Sequence, residues 1–148
     1  MTTVERTISN DAEGVEQIAL LMDELGAAHQ LPAGAVTDMQ VALDEVLTNI
    51  VNYAHSDGRP HDIRVRLTVT ADALETEIED DGRPFDPLSI PPPDLGAPLR
   101  ERAVGGLGIH FVKRLMNEVR YTLVDDRNHL VLRKLLTGQT EADARGSS

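Results

Sequence analysis

Two stretches of strict alternation lie almost back to back in this chain. Ile63, Val65, Leu67 and Val69 alternate with Arg64, Arg66, Thr68 and Thr70. Shortly after, Leu74, Thr76 and Ile78 alternate with Glu75, Glu77 and Glu79. A period of two sends successive side chains to opposite faces of a strand. Ala71 and Asp72 leave room only for a tight reversal, so the two strands are predicted to form a hairpin. Its apolar face must be covered, while its charged face can stay in water. Aromatic residues make up only 3% of the chain, so aliphatic side chains must supply the core.

The cover has to come from helices, and two precede the hairpin. Asn10 is a plausible N-cap with Glu13 three residues on, and Val15, Ile18, Ala19, Met22 and Leu25 recur at helical spacing. This helix is predicted to end near Gly26. Leu31 and Pro32 restart the chain, and Pro32 suits the first turn of a second helix reaching about residue 54. On that helix Leu43, Val46, Leu47 and Ile50 share one side, with Met39 and Val36 behind them. Glu45, Asn49 and Asn52 share the other side, preceded by Asp38 and Ala42.

Residues 4–8 are predicted as an edge strand and residues 56–60 as a turn. Residues 88–104 show no period and are rich in proline, as functional loops or lids are. Ile109, Val112, Leu115 and Met116 read as a third helix. Residues 119–124 and 129–136 read as strands, joined by a turn at Asp125, Asp126, Arg127 and Asn128. Helices, hairpin, helix, hairpin is an α+β order. The economical arrangement is a two-layer sandwich: a mixed, mainly antiparallel sheet with helices on one face. Residues 1–136 are expected to form a single domain and residues 137–148 a polar tail that frays.

The 148 residues contain no cysteine, which excludes disulfides and thiolate metal sites and fits a reducing cytoplasm. A net charge of −11 argues against a broad nucleic-acid-binding surface. It permits one nucleotide, whose phosphates backbone amides and a metal can neutralise locally. No apolar run approaches the ~20 residues of a membrane span, and the first residues lack the pattern of a signal peptide. The five histidines are scattered without metal-ligand spacing, and the prolines in or beside residues 88–104 are expected to restrict that loop.

Three segments can carry chemistry. Glu45 can act as a base, and Asn49, one turn on, offers an amide oxygen that suits Mg²⁺. Asp80 stands at a strand end, where a carboxylate can accept from an exocyclic amine, and Gly82 allows close backbone approach. Gly105, Gly106 and Gly108 precede a helix, whose free N–H groups favour phosphate. Each has a plainer reading: a solvated helix face, a turn, a loop-to-helix junction. Their order and intervals are more specific together than apart.

In that order they resemble the GHKL ATPases, the Bergerat-fold group of gyrase, heat-shock chaperones and histidine kinases. Glu45 to Asn49 is similar to the N box, Asp80 to Pro87 to the first glycine box, and Gly105 to Ile109 to the second. Phe85, Asp86 and Pro87, the proline-rich segment, and Leu115 to Val119 resemble the stand-alone anti-sigma-factor serine/threonine kinases. The resemblance implies Glu45 as general base, Asn49 as Mg²⁺ ligand, and Asp80 as acceptor of the adenine amine with Gly82 beside the ring. It implies that Gly105, Gly106 and Gly108 follow the phosphates and that Arg102 reaches the terminal one. Pro84 departs from the pattern, standing where many relatives carry a glycine, so the local loop must differ. No helical hairpin bearing a phosphoacceptor histidine precedes these motifs, unlike a complete two-component kinase.

The implied activity is transfer of phosphate from ATP, with Mg²⁺, to a serine or threonine of an anti-sigma-factor antagonist. A second surface would hold a sigma factor, and a homodimer is a possible assembly. The alternative is a non-catalytic module that uses ATP to gate partner binding. A third reading, a structural α+β domain with coincidental motifs, gives Glu45 no role.

Overall fold

The computed structural model describes residues 1–53, 61–83 and 106–136, with backbone alone for 53 and 106–110. Strand β1 (Thr2–Ser9) leads into helices α1 (Ala12–Ala28) and α2 (Ala33–Tyr53). The hairpin follows as β2 (Asp62–Val69) and β3 (Ala73–Asp80). Helix α3 (Gly106–Leu115) and a second hairpin, β4 (Glu118–Val124) and β5 (Arg127–Leu135), complete the order. The expected turn at 56–60, the segment 88–104 and the tail 137–148 lie outside the described residues.

The five strands form one sheet in the order β1-β2-β3-β5-β4, with every neighbouring pair antiparallel. Ile63, Val65, Leu67, Leu74, Ile78 and Leu132 face the helices and are buried, as the alternation requires. Met39, Leu43, Val46 and Leu47 of α2 and Ile18 and Met22 of α1 meet them in an aliphatic core. Thr76 is fully buried there and donates to Met39 Sδ at 3.3 Å, so α2 lies directly over β3. Among the described residues no helix is long and apolar enough to cross a membrane.

Several boundaries differ from expectation, each for a local reason. Asp11, not Asn10, caps α1: its Oδ1 accepts from Gly14 N–H at 2.9 Å. Asn10 N–H instead donates to His61 O at 2.9 Å, tying the chain to the start of β2. Helix α1 ends at Ala28, two residues beyond Gly26. Gly26 serves close packing, because a Cβ there would meet Val36 Cγ2 at 2.9 Å. The left-handed residue is Gln30, φ 51°. Leu31 N–H donates to Gly26 O and Gln30 N–H to Ala27 O, a Schellman ending. At the second hairpin Asp125 and Asp126 both have positive φ, 50° and 62°. That is a two-residue turn of the primed kind, so Arg127 and Asn128 belong to β5 rather than to the turn.

The open face of the sheet is a ladder of charges. Arg66 lies 3.2 Å from both Glu5 and Glu77, so these two carboxylates raise its pKa. Arg64, Arg127 and His129 converge on Glu79 at 3.0, 2.5 and 3.6 Å. Burial alone would push the Glu79 carboxyl up; the Arg127 hydrogen bond and the charges of Arg64, His129 and Arg127 outweigh it and hold it below its ordinary value.

Candidate functional site

Helix α2 lies on the covered face of the sheet. Lys134 on β5 is paired with Leu74 and meets Asp38 at 2.9 Å, which places the early part of α2 at the Leu74 end. Met39 over Thr76 lies near that end too. Ten residues of helix from Met39 to Asn49 rise about 15 Å. Four residues of strand from Thr76 to Asp80 span about 13 Å. The two lengths are alike, so a helix laid along β3 from this point would reach the Asp80 end with Glu45 and Asn49.

On α2, Glu45 and Asn49 are half-buried and joined: Asn49 Nδ2 donates to Glu45 Oε1 at 3.2 Å. That bond uses the amide nitrogen, and among the described residues Asn49 Oδ1 has no hydrogen bond. The pair thus presents a carboxylate beside a hard oxygen donor.

Asp80 is the last residue of β3 and, at 4% exposure, lies on the covered face. Its Oδ2 accepts from Gly82 N–H at 2.8 Å, which folds the chain sharply after the strand. The same oxygen lies 3.4 Å from Nδ2 of Asn128, its register partner on β5. Asn128 Nδ2 also reaches the carbonyls of Gly82 and Arg83, both at 3.2 Å. Tyr121 on β4 donates its hydroxyl to Asn128 Oδ1. Asn128 is buried and holds Asp80 and the following turn in one network. Sequence reasoning missed it, having placed it in a turn; the signal available was an asparagine just after two aspartates able to close a two-residue hairpin.

Gly106 and Gly108 lie within the first turn of α3 rather than before it. They still occupy the helix end where backbone N–H groups lack intrahelical partners. Gly105, Arg102 and Pro84 lie outside the described residues, as do Phe85, Asp86 and Pro87.

An antiparallel sheet covered on one face by helices, with a buried carboxylate at a strand end and an acid–amide pair on the helix above, has the architecture of a Bergerat-type domain. The chain belongs to the histidine kinase-like ATPase domain family, whose model matches residues 8–134.

Among its relatives is the serine/threonine-protein kinase BtrW of Bordetella bronchiseptica. It is 32% identical over 94 residues, covering 64% of this chain and 66% of that protein. Another is the serine-protein kinase RsbW of Bacillus subtilis, 28% identical over 122 residues, 79% of this chain and 76% of the relative. The fold matches the RsbU and RsbW domains of Rv1364c from Mycobacterium tuberculosis at a TM-score of 0.64 and 13% identity, over 91% of this chain and 33% of that one. It also matches the SiaB–SiaC complex of Pseudomonas aeruginosa at 0.56 and 16% identity, over 91% of this chain and 89% of that one.

Proposed function

We propose that the chain is an ATP- and Mg²⁺-dependent serine/threonine protein kinase of the anti-sigma regulatory type. The observation that carries the reading is Asp80, a buried carboxylate at the end of β3 fixed by Gly82 N–H and Asn128, in a chain whose α2 holds Glu45 and Asn49 as a joined pair. A carboxylate held there suits the exocyclic amine of adenine, and Gly82 permits the ring to lie against backbone. The first turn of α3, with Gly106 and Gly108, suits the phosphates, with Gly105 and Arg102 assigned to the same end by resemblance. Asn49 fits Mg²⁺, because its nitrogen is bonded to Glu45 and its oxygen is the remaining donor. Bound Mg²⁺ would neutralise phosphate charge.

Glu45 takes the proton of a seryl or threonyl hydroxyl as that oxygen attacks the γ-phosphorus. The bond to the bridging β–γ oxygen breaks, and ADP leaves. The relatives named as serine kinases support a protein acceptor. By the family resemblance the acceptor is an anti-sigma-factor antagonist, and a sigma factor is the regulated partner. The reading carries with it a cytoplasmic setting and allows a homodimer.

The test uses labelled ATP, Mg²⁺ and candidate antagonist proteins with wild type and Glu45→Gln. The substitution keeps size and the bond from Asn49 while removing the base. Nucleotide affinity should persist, and transfer should fall about 10²–10⁴-fold. A fully active variant would remove Glu45 as base. A wild type that binds ATP and its acceptor without ever phosphorylating it would leave ATP-gated binding as the function.

A further inference from the structure

Lys134 does something unusual for a strand lysine: it points to the covered face. Leu132 and Leu130, two and four residues earlier on that face, are buried, and Lys134 itself is only 16% exposed at its side chain. Its ammonium donates to Leu115 O, the last residue of α3, at 2.8 Å. It also pairs with Asp38 Oδ2 of α2 at 2.9 Å. One cation on β5 therefore binds the carbonyl end of α3 and the flank of α2 together. A positive charge at a helix C-terminus is favourable, and here the same charge is neutralised by a carboxylate on the neighbouring helix.

The surroundings make this a fixed point. Asn117 N–H donates to Arg133 O at 2.9 Å, and Leu135 N–H donates to Asn117 Oδ1 at 2.8 Å, so the chain leaving α3 is bound to β5 on both sides of Lys134. Val112 and Met116 are buried beneath the helix. Asp38 lies two turns before Glu45 and about three before Asn49 on one stripe of α2. Ten residues of α3 span about 15 Å, close to the rise from Asp38 to Asn49. Anchoring the C-terminal end of α3 at Asp38 thus sets how far its glycine-bearing N-terminus extends alongside the stripe that ends in Glu45 and Asn49.

We propose that Lys134 is a positioning residue for the phosphate-binding end of the site, holding α3 in register along α2 through Leu115 O and Asp38. This rests on the proposed nucleotide reading and adds to it a residue that touches no part of the nucleotide. Loss of the tie lets α3 slide or tilt. The base-binding group, Asp80 with Gly82 and Asn128, stands at the other end of the sheet and is untouched. The consequence is selective: phosphate recognition suffers and base recognition does not.

The experiment measures binding of ATP, ADP and adenosine to wild type, Lys134→Met, Lys134→Arg and Asp38→Asn, with thermal unfolding and amide exchange of residues 111–116 on the same preparations. Lys134→Met keeps the apolar stem and removes the charge. Its ATP affinity should fall about tenfold, with adenosine affinity within about twofold of wild type. Exchange at the end of α3 should rise. Lys134→Arg should restore most of the ATP affinity. Asp38→Asn, which keeps shape and leaves the bond to Leu115 O, should show the same selectivity more weakly, and it decides the matter if Lys134→Met does not fold. Equal losses for ATP and adenosine, or no loss, would overturn the proposal while leaving the nucleotide reading intact. A wild type that binds no nucleotide would overturn both, and faster exchange in Lys134→Met would then report only a structural tie.

Discussion

Asn128 shows how a single side chain can matter without advertising itself. A lone asparagine in a polar run has no periodicity, and its meaning comes from register: opposite Asp80, across the hairpin from Tyr121. One amide there serves a carboxylate and two carbonyls. Asn128→Ala would remove the donor that Asp80 and the carbonyls of Gly82 and Arg83 share and should destabilise the protein by about 1–3 kcal/mol in denaturant unfolding. Affinity for an adenine nucleotide should fall with it, because Asp80 loses a restraint. Asn128→Asp is the sharper variant, since it brings a second carboxylate up to the first. It should be the less stable of the two at neutral pH and recover on acidification, as one carboxyl takes up a proton. Matched unfolding curves at neutral and mildly acid pH would check this; equal stability of the two variants at every pH would count against the network. Glu45, Asn49, Asp80 and Gly82 stand out as candidates in the sequence because each sits in a short local motif. Asn128 does not, because its role is created by a strand pairing forty-eight positions away.

At the scale of elements, the strands were legible and the ends of the helices were not. Alternation over 62–69 and 73–80 answers to burial on one face, and one face is buried. Helix ends answer to close contacts that no local pattern reports. Gly14 was not singled out in the sequence, yet a Cβ there would lie 2.2 Å from Ser9 O, where β1 turns into α1. Gly26 looked like a stop and is a contact with α2. The charged face of the sheet offers a test that crosses four strands. Glu79 on β3 gathers Arg64 from β2 and Arg127 and His129 from β5, and Arg64 lies 4.0 Å from Glu5 on β1. Its carboxyl is held below the ordinary range, with burial opposing and the cations prevailing. A lowered folded-state pKa means that its stabilisation is fully present above the unfolded carboxylate value and is lost as pH falls through the folded one. Glu79→Gln should therefore cost about 1 kcal/mol at pH 7, a modest figure because its arginine partners are half in water. The difference from wild type should shrink toward zero well below pH 4. Urea unfolding of both proteins across that range measures it. A difference independent of pH would mean that packing, not charge, sets the effect.

Over the whole molecule, the candidate site draws on parts that are far apart in the chain and in different layers. Glu45 and Asn49 come from α2, Asp80 from β3, Asn128 from β5, and Gly106 and Gly108 from the first turn of α3. The Schellman ending of α1 and the cap at Asp11 set α1 and the entry to α2, and the aliphatic core joins α2 to the sheet. A ligand that bridges these parts binds only the assembled fold, so its binding energy is added to global stability. At a nucleotide concentration one hundred times the dissociation constant, that gain is about 2.7 kcal/mol. For a chain of 148 residues unfolding in one step, this corresponds to a rise in Tm of roughly 5–10 °C. ATP with Mg²⁺ should produce that rise in wild type. Asp80→Asn, which keeps shape but removes the charged acceptor, should lose about 1.5–3 kcal/mol of binding and with it most of the shift at the same concentration. Asn49→Ala should lose chiefly the part of the shift that Mg²⁺ adds, so that its curves with Mg²⁺ and with EDTA draw together. Thermal scans of the three proteins with ATP, in Mg²⁺ and in EDTA, separate these outcomes. A full shift in folded Asp80→Asn would remove Asp80 from the base-binding role, and an undiminished Mg²⁺ increment in Asn49→Ala would remove Asn49 as the metal ligand.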